Sequence, residues 1–504
     1  PKALYALALA NTGERFGHYT MIAVFSLFLR ANFGLSGDTA GLIYGVFLAL
    51  VYFLPLVGGI MADKFGYGKM VTIGIIVMFA GYLFLSIPLG GGVMGYAAMF
   101  GALLLVSLGT GLFKGNLQVM VGNLYDAPEL SAKRDSGFSI FYMAINIGAL
   151  FAPTAAVRIK EWAEHSLGYS GNDAYHFSFA VACVSLIVSM MIYYAFRSTF
   201  RHVEAGAGKS KKTDTTVATE ELTPQQTKER IVALCLVFAV VIFFWMSFHQ
   251  NGLTLTFFAD EFVSPKSEGV QTMAFDVINL VMIIFMIYSL MSFFQSKTSK
   301  AKLISTVVFL AAVGVLVYKY HNIGGPVDVS APIFQQFNPF YVVALTPVSM
   351  AIFGALAAKG KEPTAPRKIA YGMIIAGSAY LLMVLASRGL LTPNEQTAAK
   401  AAGETVPFAS GNWLIGTYLI LTFGELLLSP MGISFVSKVA PPKYKGTMMG
   451  GWFVATAIGN LLVSVGGFLW NDIPLTIVWS VFIVLCLLSA GFMFLMMKRL
   501  EKVA

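Results

Sequence analysis

Fourteen apolar stretches, each long enough to cross a lipid bilayer as a helix, dominate this chain. A hydrocarbon core of about 30 Å takes about 20 helical residues. Only 12% of the 504 residues are charged, against about 25% in soluble globular proteins. The sequence therefore predicts an all-α polytopic membrane protein with no soluble catalytic domain, so an enzyme is not expected. Its spans lie near residues 4–30, 39–62, 69–88, 93–121, 136–157, 175–197, 231–259, 273–294, 302–319, 337–358, 368–388, 411–438, 446–470 and 474–498.

The basic residues indicate how these spans are oriented. If the N-terminus lies in the cytoplasm, the loops and tail on that side carry 24 Lys and Arg, whereas the opposite loops carry seven. Cytoplasmic loops are enriched in Lys and Arg, so we expect both termini and the polar segment 198–230 to be cytoplasmic. The net charge of +9 is spread over short loops and does not predict a nucleic-acid partner. The compact loops favour a bacterial inner membrane.

The polar segment divides the chain into two unequal halves. We expect an N-terminal six-helix bundle at 1–197, a cytoplasmic linker at 198–230, and a C-terminal part at 231–504. The short loop 295–302 carries three lysines, which fits two extra transmembrane helices inserted at about 273–319. Two six-helix bundles joined by a basic loop match the two-repeat design of major facilitator transporters, whose substrate site lies at the midplane between the bundles.

Ionisable residues lie inside the first span. Glu14 and Arg15 are followed by a further apolar run, and such groups within a membrane are costly unless they have a partner or a water-filled cavity. On a helix Asn11, Arg15 and His18 share one face, whereas Glu14 lies about 100° round the axis. The alternative is a charge pair that reaches the headgroups from a helix end, which the short side chain of Glu14 disfavours.

Charges in other spans suggest the chemistry of a substrate. Lys114 lies in the fourth span and Glu425 in the twelfth. Arg15 presents a planar fork for a carboxylate and Lys114 a compact positive charge, while Glu425 suits an amine, so the interior charges favour a zwitterion. The alternative is that Lys114 and Glu425 form only structural ion pairs, with Glu14 or with each other.

Several longer motifs resemble the proton-coupled oligopeptide transporter family, and the first inter-helix turn resembles the major facilitator loop signature. The resemblance implies a symporter that imports di- and tripeptides by alternating access, with the proton as coupling ion. No cofactor or metal is expected. The sequence does not determine the oligomeric state, and we expect the chain to function as a monomer. The motifs extend over nearly the whole chain: Glu14-Arg15-Phe16 with Tyr19, Gly58 to Lys69, Gly109 to Lys114, Phe141 to Gly148, Asn338-Pro339, Gly424-Glu425-Leu426 with Ser429-Pro430, and Trp452 before Ala455 to Asn460.

The resemblance also implies roles for single residues. Arg15 and Lys114 are expected near the C-terminus of the peptide and Glu425 near its amino group. Proton coupling is expected from Glu14, Arg15, Lys114 and Glu425, with His18 and His249 as further candidates because an imidazole titrates near about pH 6.5. The implied substrate-binding residues are Arg15, Tyr19, Tyr52, Lys114, Asn146, Trp245, Asn338, Glu425, Ser429 and Trp452.

Four positions depart from the family pattern. Asn11 stands where a glutamate is usual, His18 replaces the first of two tyrosines, Ile22 replaces a basic residue, and His249 replaces a glutamate. If the usual residues at 22 and 249 pair in relatives, losing both leaves no orphan charge. The departures keep open a carrier for modified peptides, amino-acid conjugates or other organic anions with altered proton coupling. A transport-inactive scaffold that docks through the extra helices is a more distant alternative.

Overall fold

The computed structural model describes residues 2–125, 127–130, 134–204, 222–441 and 444–504, so much of the predicted linker lies outside the described residues. Two short strands, β1 (Lys266–Ser267) and β2 (Val327–Asp328), pair antiparallel, with Lys266 opposite Asp328. The remaining regular structure is helical. The α-helices are α1 Lys2–Phe33, α2 Gly37–Phe65, α3 Tyr67–Ser86, α4 Val93–Asn123, α5 Arg134–His165, α6 Gly171–Ala195, α7 Pro224–Phe248, α8 Thr254–Glu261, α9 Val270–Ala274, α10 Val277–Gln295, α11 Ser299–His321, α12 Phe337–Ala358, α13 Ala365–Ala386, α14 Pro393–Ala401, α15 Asn412–Val439, α16 Lys445–Leu462, α17 Ser464–Leu469, α18 Leu475–Leu495 and α19 Met497–Val503.

Thirteen helical segments of the described chain are long and apolar enough to cross a membrane. The helix α1 is not among them, although its 32 residues extend about 48 Å. It is the helix that carries Asn11, Glu14, Arg15 and His18, and it buries these residues against its neighbours. With α1 the segments match the predicted spans, and the predicted all-α polytopic fold is confirmed.

The helices form two groups that meet along a seam. In the first, α1 packs on α5 and α6, and α4 packs on α2 and α3; in the second, α13 packs on α15 and α18, and α7 packs on α16 and α18. The seam brings α2 against α16 and α17, and α5 against α12. Helix α7 begins at Pro224 with a capping box from Thr223, so it starts before the predicted residue 231. The exact domain boundaries stay a prediction.

The two extra helices, α10 and α11, form a hairpin at the edge of the second group. Helix α10 packs on α12, where the Tyr288 hydroxyl donates to the Val343 carbonyl at 2.8 Å, and it also touches α5. Lys319 at the end of α11 pairs with Asp276 just before α10. Helix α11 packs mainly on α10 and leaves side chains such as Leu303 largely exposed, as expected of a lipid-facing helix.

One end of the seam is closed by direct backbone contact. We call it the outer end, since α1 ends and α2 begins there and the charge pattern predicts that it is extracellular; the opposite end is the inner end. A Cβ atom on Gly41 would lie 2.9 Å from the Cα of Gly467, so α2 and α17 touch where only glycine fits. Nearby, Arg30 pairs with Glu261 at 2.9 Å, and the Trp470 indole donates to Glu261 at 2.6 Å.

Candidate substrate site between the bundles

The buried carboxylate of Glu14 is bound by its neighbour Arg15. Arg15 Nε donates to Glu14 Oε2 at 2.5 Å, and a terminal guanidinium nitrogen donates to Oε1 at 2.6 Å. Both residues are at least 98% buried. A two-pronged pair of this kind is the strongest arrangement available to these groups. The cost of burying each charge is therefore offset locally, within a single helix.

Lys114 on α4 lies beside this pair without joining it. Its ammonium nitrogen is 4.2 Å from the centre of the Tyr52 ring, while the Arg15 guanidinium is 5.8 Å from the centre of the Tyr19 ring. Lys114 forms no ion pair with another described residue, although the charges of Arg15 and Glu14 are close enough to act on it. A cation held over an aromatic face gains about 1–2 kcal/mol, and Lys114 stays available to an anion.

Glu425 on α15 is held by neutral groups. The Asn338 side-chain amide donates to Glu425 Oε2 at 3.0 Å and to the Thr422 hydroxyl at 3.0 Å. Within the described residues Glu425 has no ion-pair partner, so the structural ion pairs considered for Lys114 and Glu425 are not formed. Glu425 is close enough to Tyr19 and Tyr52 to interact with them electrostatically. The acidic and basic groups of the two halves therefore face one site.

His249 forms one wall near Lys114. Its ring stacks on Trp245, with the ring centres 5.2 Å apart, and it lies 5.8 Å from the Tyr52 ring centre. His249 Nδ1 lies 2.5 Å from Asn460 Oδ1, which makes this nitrogen the donor. The Trp245 indole nitrogen is buried without a described hydrogen-bond partner. Trp245 thus shapes the wall chiefly through its ring.

The first span places its other polar residues in the interior as well. Asn11 and His18 are each 3% exposed. The His18 ring contacts Tyr19 edge-on and lies 6.4 Å from the centre of the Phe47 ring, and its Nδ1 has no partner within the described chain. Ile22 is buried on the same helix. Neither histidine is hydrogen-bonded to a carboxylate among the described residues.

The remaining predicted site residues differ in how they are placed. Asn146 donates to the Tyr142 carbonyl one turn earlier, at 3.1 Å. Trp452 is 4% exposed and lies so close to Gly432 that a Cβ there would be 2.1 Å from its ring. Ser429 is partly buried and makes no described hydrogen bond. Asn146 is thus bound to its own helix and Trp452 packs closely on α15, and their roles in substrate binding stay predictions.

Three polar residues of the site were missed in the sequence. Tyr142 lies near Glu425 and is 49% exposed, Asn460 binds His249, and Thr422 shares the amide of Asn338. Helical spacing could have found two of them. Tyr142 lies one turn before Asn146, and Thr422 lies three residues before Glu425, so each shares a face with a predicted residue. For Asn460, the only signal in the sequence was a polar residue inside a predicted span.

A separate cavity is lined by none of these charged residues. Its volume is about 680 Å³, and it is lined by the outer half of α5 and by the base of the α10–α11 hairpin. The charged side chains that line this cavity include Asp276 and Lys319, which form an ion pair with each other. The site between the bundles differs from this cavity, because its basic residue Lys114 and its acidic residue Glu425 have no ion-pair partner among the described residues.

Comparison with known proteins agrees with this arrangement. The family model for the POT family matches residues 68–217 and 319–478, which is more than half of the chain. The chain belongs to the POT family. The family assignment made from the motifs is therefore confirmed.

Two relatives and a solved structure extend the POT-family match over the chain. Dipeptide and tripeptide permease B of Xenorhabdus bovienii is 26% identical, with 92% of this chain and 86% of the relative covered. A di-/tripeptide transporter of Lactococcus lactis subsp. cremoris is 28% identical, and the match covers 92% of this chain and 88% of the relative. A crystal structure of the peptide transporter POT in complex with sulfate aligns with a TM-score of 0.74 at 22% identity. The alignment covers 100% of this chain and 96% of the solved chain. At that identity the structure supports the shared POT fold.

Proposed function

We propose that this chain is a proton-coupled symporter that imports di- and tripeptides by alternating access. It works as a monomer in a bacterial inner membrane, with both termini in the cytoplasm, and needs no cofactor beyond the proton as coupling ion. The names of the two POT relatives support a peptide substrate. The bias of Lys and Arg toward the inner end supports the orientation.

The observation that carries the proposal is the pair of uncompensated charges. Lys114 belongs to the first helix group and Glu425 to the second, and neither has an ion-pair partner among the described residues. Charges in a membrane interior are costly without a partner. A short peptide supplies both missing partners at once, because its carboxylate can meet Lys114 and its ammonium can meet Glu425.

The pair formed by Glu14 and Arg15 couples this binding to a proton. Glu14 occupies both prongs of the Arg15 fork, which is the surface that a peptide carboxylate would use. Protonation of Glu14 removes its charge and frees Arg15 to bind the peptide. Loss of the proton restores the pair and displaces the carboxylate. Peptide and proton therefore load together and leave together.

The described conformation fits the releasing stage of such a cycle. The outer end is closed by Gly41 against Gly467 and by Arg30 with Glu261. Tyr142, which lies near Glu425 and one turn toward the inner end from Asn146, is 49% exposed. This exposure supports access of water to the site from the inner end. Loading from outside requires α2 to separate from α16 and α17.

The test is uptake of labelled dialanine into proteoliposomes, with and without an inward proton gradient. The parent is expected to accumulate dialanine only with the gradient. Glu14→Gln is expected to lose accumulation but keep dialanine exchange, because Arg15 stays free and the peptide still binds. Glu164→Gln is the matched control, since Glu164 forms a peripheral pair with Lys160 at 2.5 Å. Accumulation that survives in Glu14→Gln would move coupling to another group, and absence of dialanine transport by the parent would refute the peptide proposal.

His18 and His249 are the further candidates for coupling. Uptake by the double variant His18→Gln/His249→Gln, measured from pH 5 to pH 8, separates them from the carboxylates. An unchanged pH profile would remove both histidines from the proton route. A shifted midpoint would place one of them in it, and the single variants would identify which.

The wall around His249 favours one second candidate, a carrier for modified peptides or other conjugated organic anions. His249 stacks on Trp245 and binds Asn460, so an aromatic and amide surface stands where the family usually has a glutamate. Such a surface can accept a bulky or uncharged group. Competition by a dipeptide library against dialanine decides between the two. Strong competition by many dipeptides supports the ordinary peptide substrate.

A further inference from the structure

A basic cavity lies at the inner end of the second helix group, far from the substrate site. Its volume is about 460 Å³, and its walls come from the first turns of α7 and from α19. Four cationic side chains line it, Lys228, Lys498, Arg499 and Lys502, against one carboxylate, Glu229. The cavity therefore concentrates positive charge in one place.

Most of this charge has no partner in the protein. Lys502 lies 3.9 Å from Glu229. Lys228, Lys498 and Arg499 form no ion pair with any other described residue. Like charges held within one cavity repel each other, and they attract an anion. A phosphate group carries the charge and the acceptor oxygens that Lys and Arg bind.

The walls of the cavity are held in place by contacts on both sides of α19. Glu501 accepts from Arg367 at 2.5 Å and from the Thr364 hydroxyl at 2.9 Å, which fixes α19 to α13. Leu500, on the same helix, is fully buried against the protein. The basic groups therefore project from a docked helix, so less side-chain freedom is lost when an anion binds.

The surroundings indicate that the anion belongs to a lipid. Helix α18 ends at Leu495 and α19 begins at Met497, with Lys498 and Arg499 in its first turn. On α18, Leu488 is 66% exposed and Leu495 is 79% exposed, and their spacing of seven residues puts them on one face. This apolar face lies within the span, and its last residue, Leu495, precedes Lys498 by three positions in the chain.

We propose that this cavity binds the phosphate headgroup of an anionic phospholipid, whose acyl chains lie along the exposed face of α18. Basic pockets at the cytoplasmic side of membrane helices suit such headgroups, because that leaflet is negatively charged. The negative charge of the bound headgroup reduces the repulsion among these cations and holds α7 and α19 together. This site serves stability at the inner end and is independent of the substrate.

The test measures thermal unfolding of the full chain in detergent by tryptophan fluorescence. Phosphatidylglycerol is added in one sample and phosphatidylcholine with the same acyl chains in another. Phosphatidylglycerol is expected to raise the Tm by about 2–4 °C more than phosphatidylcholine. Native mass spectrometry of the same samples should show phosphatidylglycerol retained on the protein.

Two double variants locate the effect. Lys498→Gln/Arg499→Gln is expected to lose the difference between the two lipids. Lys297→Gln/Lys300→Gln, which removes two exposed charges from the α10–α11 loop on the same side, is expected to keep it. Lys498→Arg preserves the charge and should also keep the difference.

Three results would overturn the proposal. The first is an equal Tm with both lipids in the parent. The second is a lipid preference that survives in Lys498→Gln/Arg499→Gln, or that is lost equally in the control double variant. The third is a matching rise in Tm with inorganic phosphate alone, which would assign the cavity to free phosphate. None of these readouts depends on transport, so the peptide proposal is tested separately.

Discussion

The two halves of the candidate substrate site differ in how their charged residues are partnered. The first half holds two cations, Arg15 and Lys114, and one carboxylate, Glu14, that already occupies Arg15. The second half holds a single carboxylate, Glu425, which receives only neutral hydrogen bonds from Asn338. The first half thus has a second cation, Lys114, and a carboxylate, Glu14, that competes with a substrate carboxylate for Arg15. The second half has only the carboxylate of Glu425.

This difference indicates where the site tolerates change. A substrate carboxylate that loses Lys114 can still reach Arg15 once Glu14 is protonated. A substrate ammonium that loses Glu425 finds no second acid beside it in the described second half. Breaking a buried charge pair costs more when no other group can replace the lost partner. The two halves should therefore respond unequally to equivalent substitutions.

The largest effect is expected from Glu425→Gln. Dialanine uptake driven by a proton gradient should fall by about 100-fold, because the substrate ammonium loses its charged partner. Glu404→Gln, at an exposed position outside the site, is the control and should transport like the parent. A loss smaller than about tenfold would show that another group holds the ammonium.

Lys114→Gln should have a smaller effect. Affinity for dialanine, measured by calorimetry in detergent, should fall by about tenfold, since Arg15 still provides one cation. Lys359→Gln removes an exposed lysine at the end of α12 and serves as the control. If Lys114→Gln lost as much affinity as Glu425→Gln, the proposed redundancy of the two cations would be wrong.

The double variant Glu14→Gln/Lys114→Gln sharpens the comparison. It removes the competitor for Arg15 together with the spare cation, so the peptide carboxylate has Arg15 to itself. Affinity for dialanine should recover to within about threefold of the parent, and the two substitutions should be clearly non-additive. If Glu14→Gln restored no affinity in the Lys114→Gln background, Glu14 would have no part in the binding of the carboxylate.

The smallest effect is expected from Thr422→Val. The Thr422 hydroxyl accepts from the same Asn338 amide that binds Glu425, so its loss leaves the amide with Glu425 alone. Affinity for dialanine should change by about threefold or less, because a neutral hydrogen bond that does not touch the substrate contributes only about 0.5 kcal/mol. A loss as large as that of Glu425→Gln would mean that Thr422 contacts the substrate itself.

The sequence allowed the fold and the charged residues of the site to be predicted because both depend on local patterns. Long apolar runs specify membrane spans, and ionisable residues within such runs are rare enough to stand out. Glu14, Arg15, Lys114 and Glu425 were found in this way. Which of them pair could not be read, since adjacent residues point about 100° apart on a helix. The pairing of Glu14 with Arg15 depends on how their side chains bend in the packed interior.

Contacts between helices that lie far apart in the sequence were beyond prediction for a different reason. Gly41 touches Gly467, and His249 binds Asn460, over long separations in sequence. Glycine is common in this chain, with 49 residues, so no pattern singled out these two. The family resemblance implied Trp452 as a pocket residue, but its close fit against Gly432 depends on a neighbouring helix. Such pairs become visible only when the helices are packed.

The α10–α11 hairpin enters and leaves the structure at the same end. Lys319 joins Asp276, and β1 pairs with β2, so the beginning and the end of the insertion are tied together. Two crossings leave the direction of every later helix unchanged. A segment of this form can therefore be gained or lost during evolution without inverting α12 or any helix after it, and the substrate site keeps its orientation in the membrane.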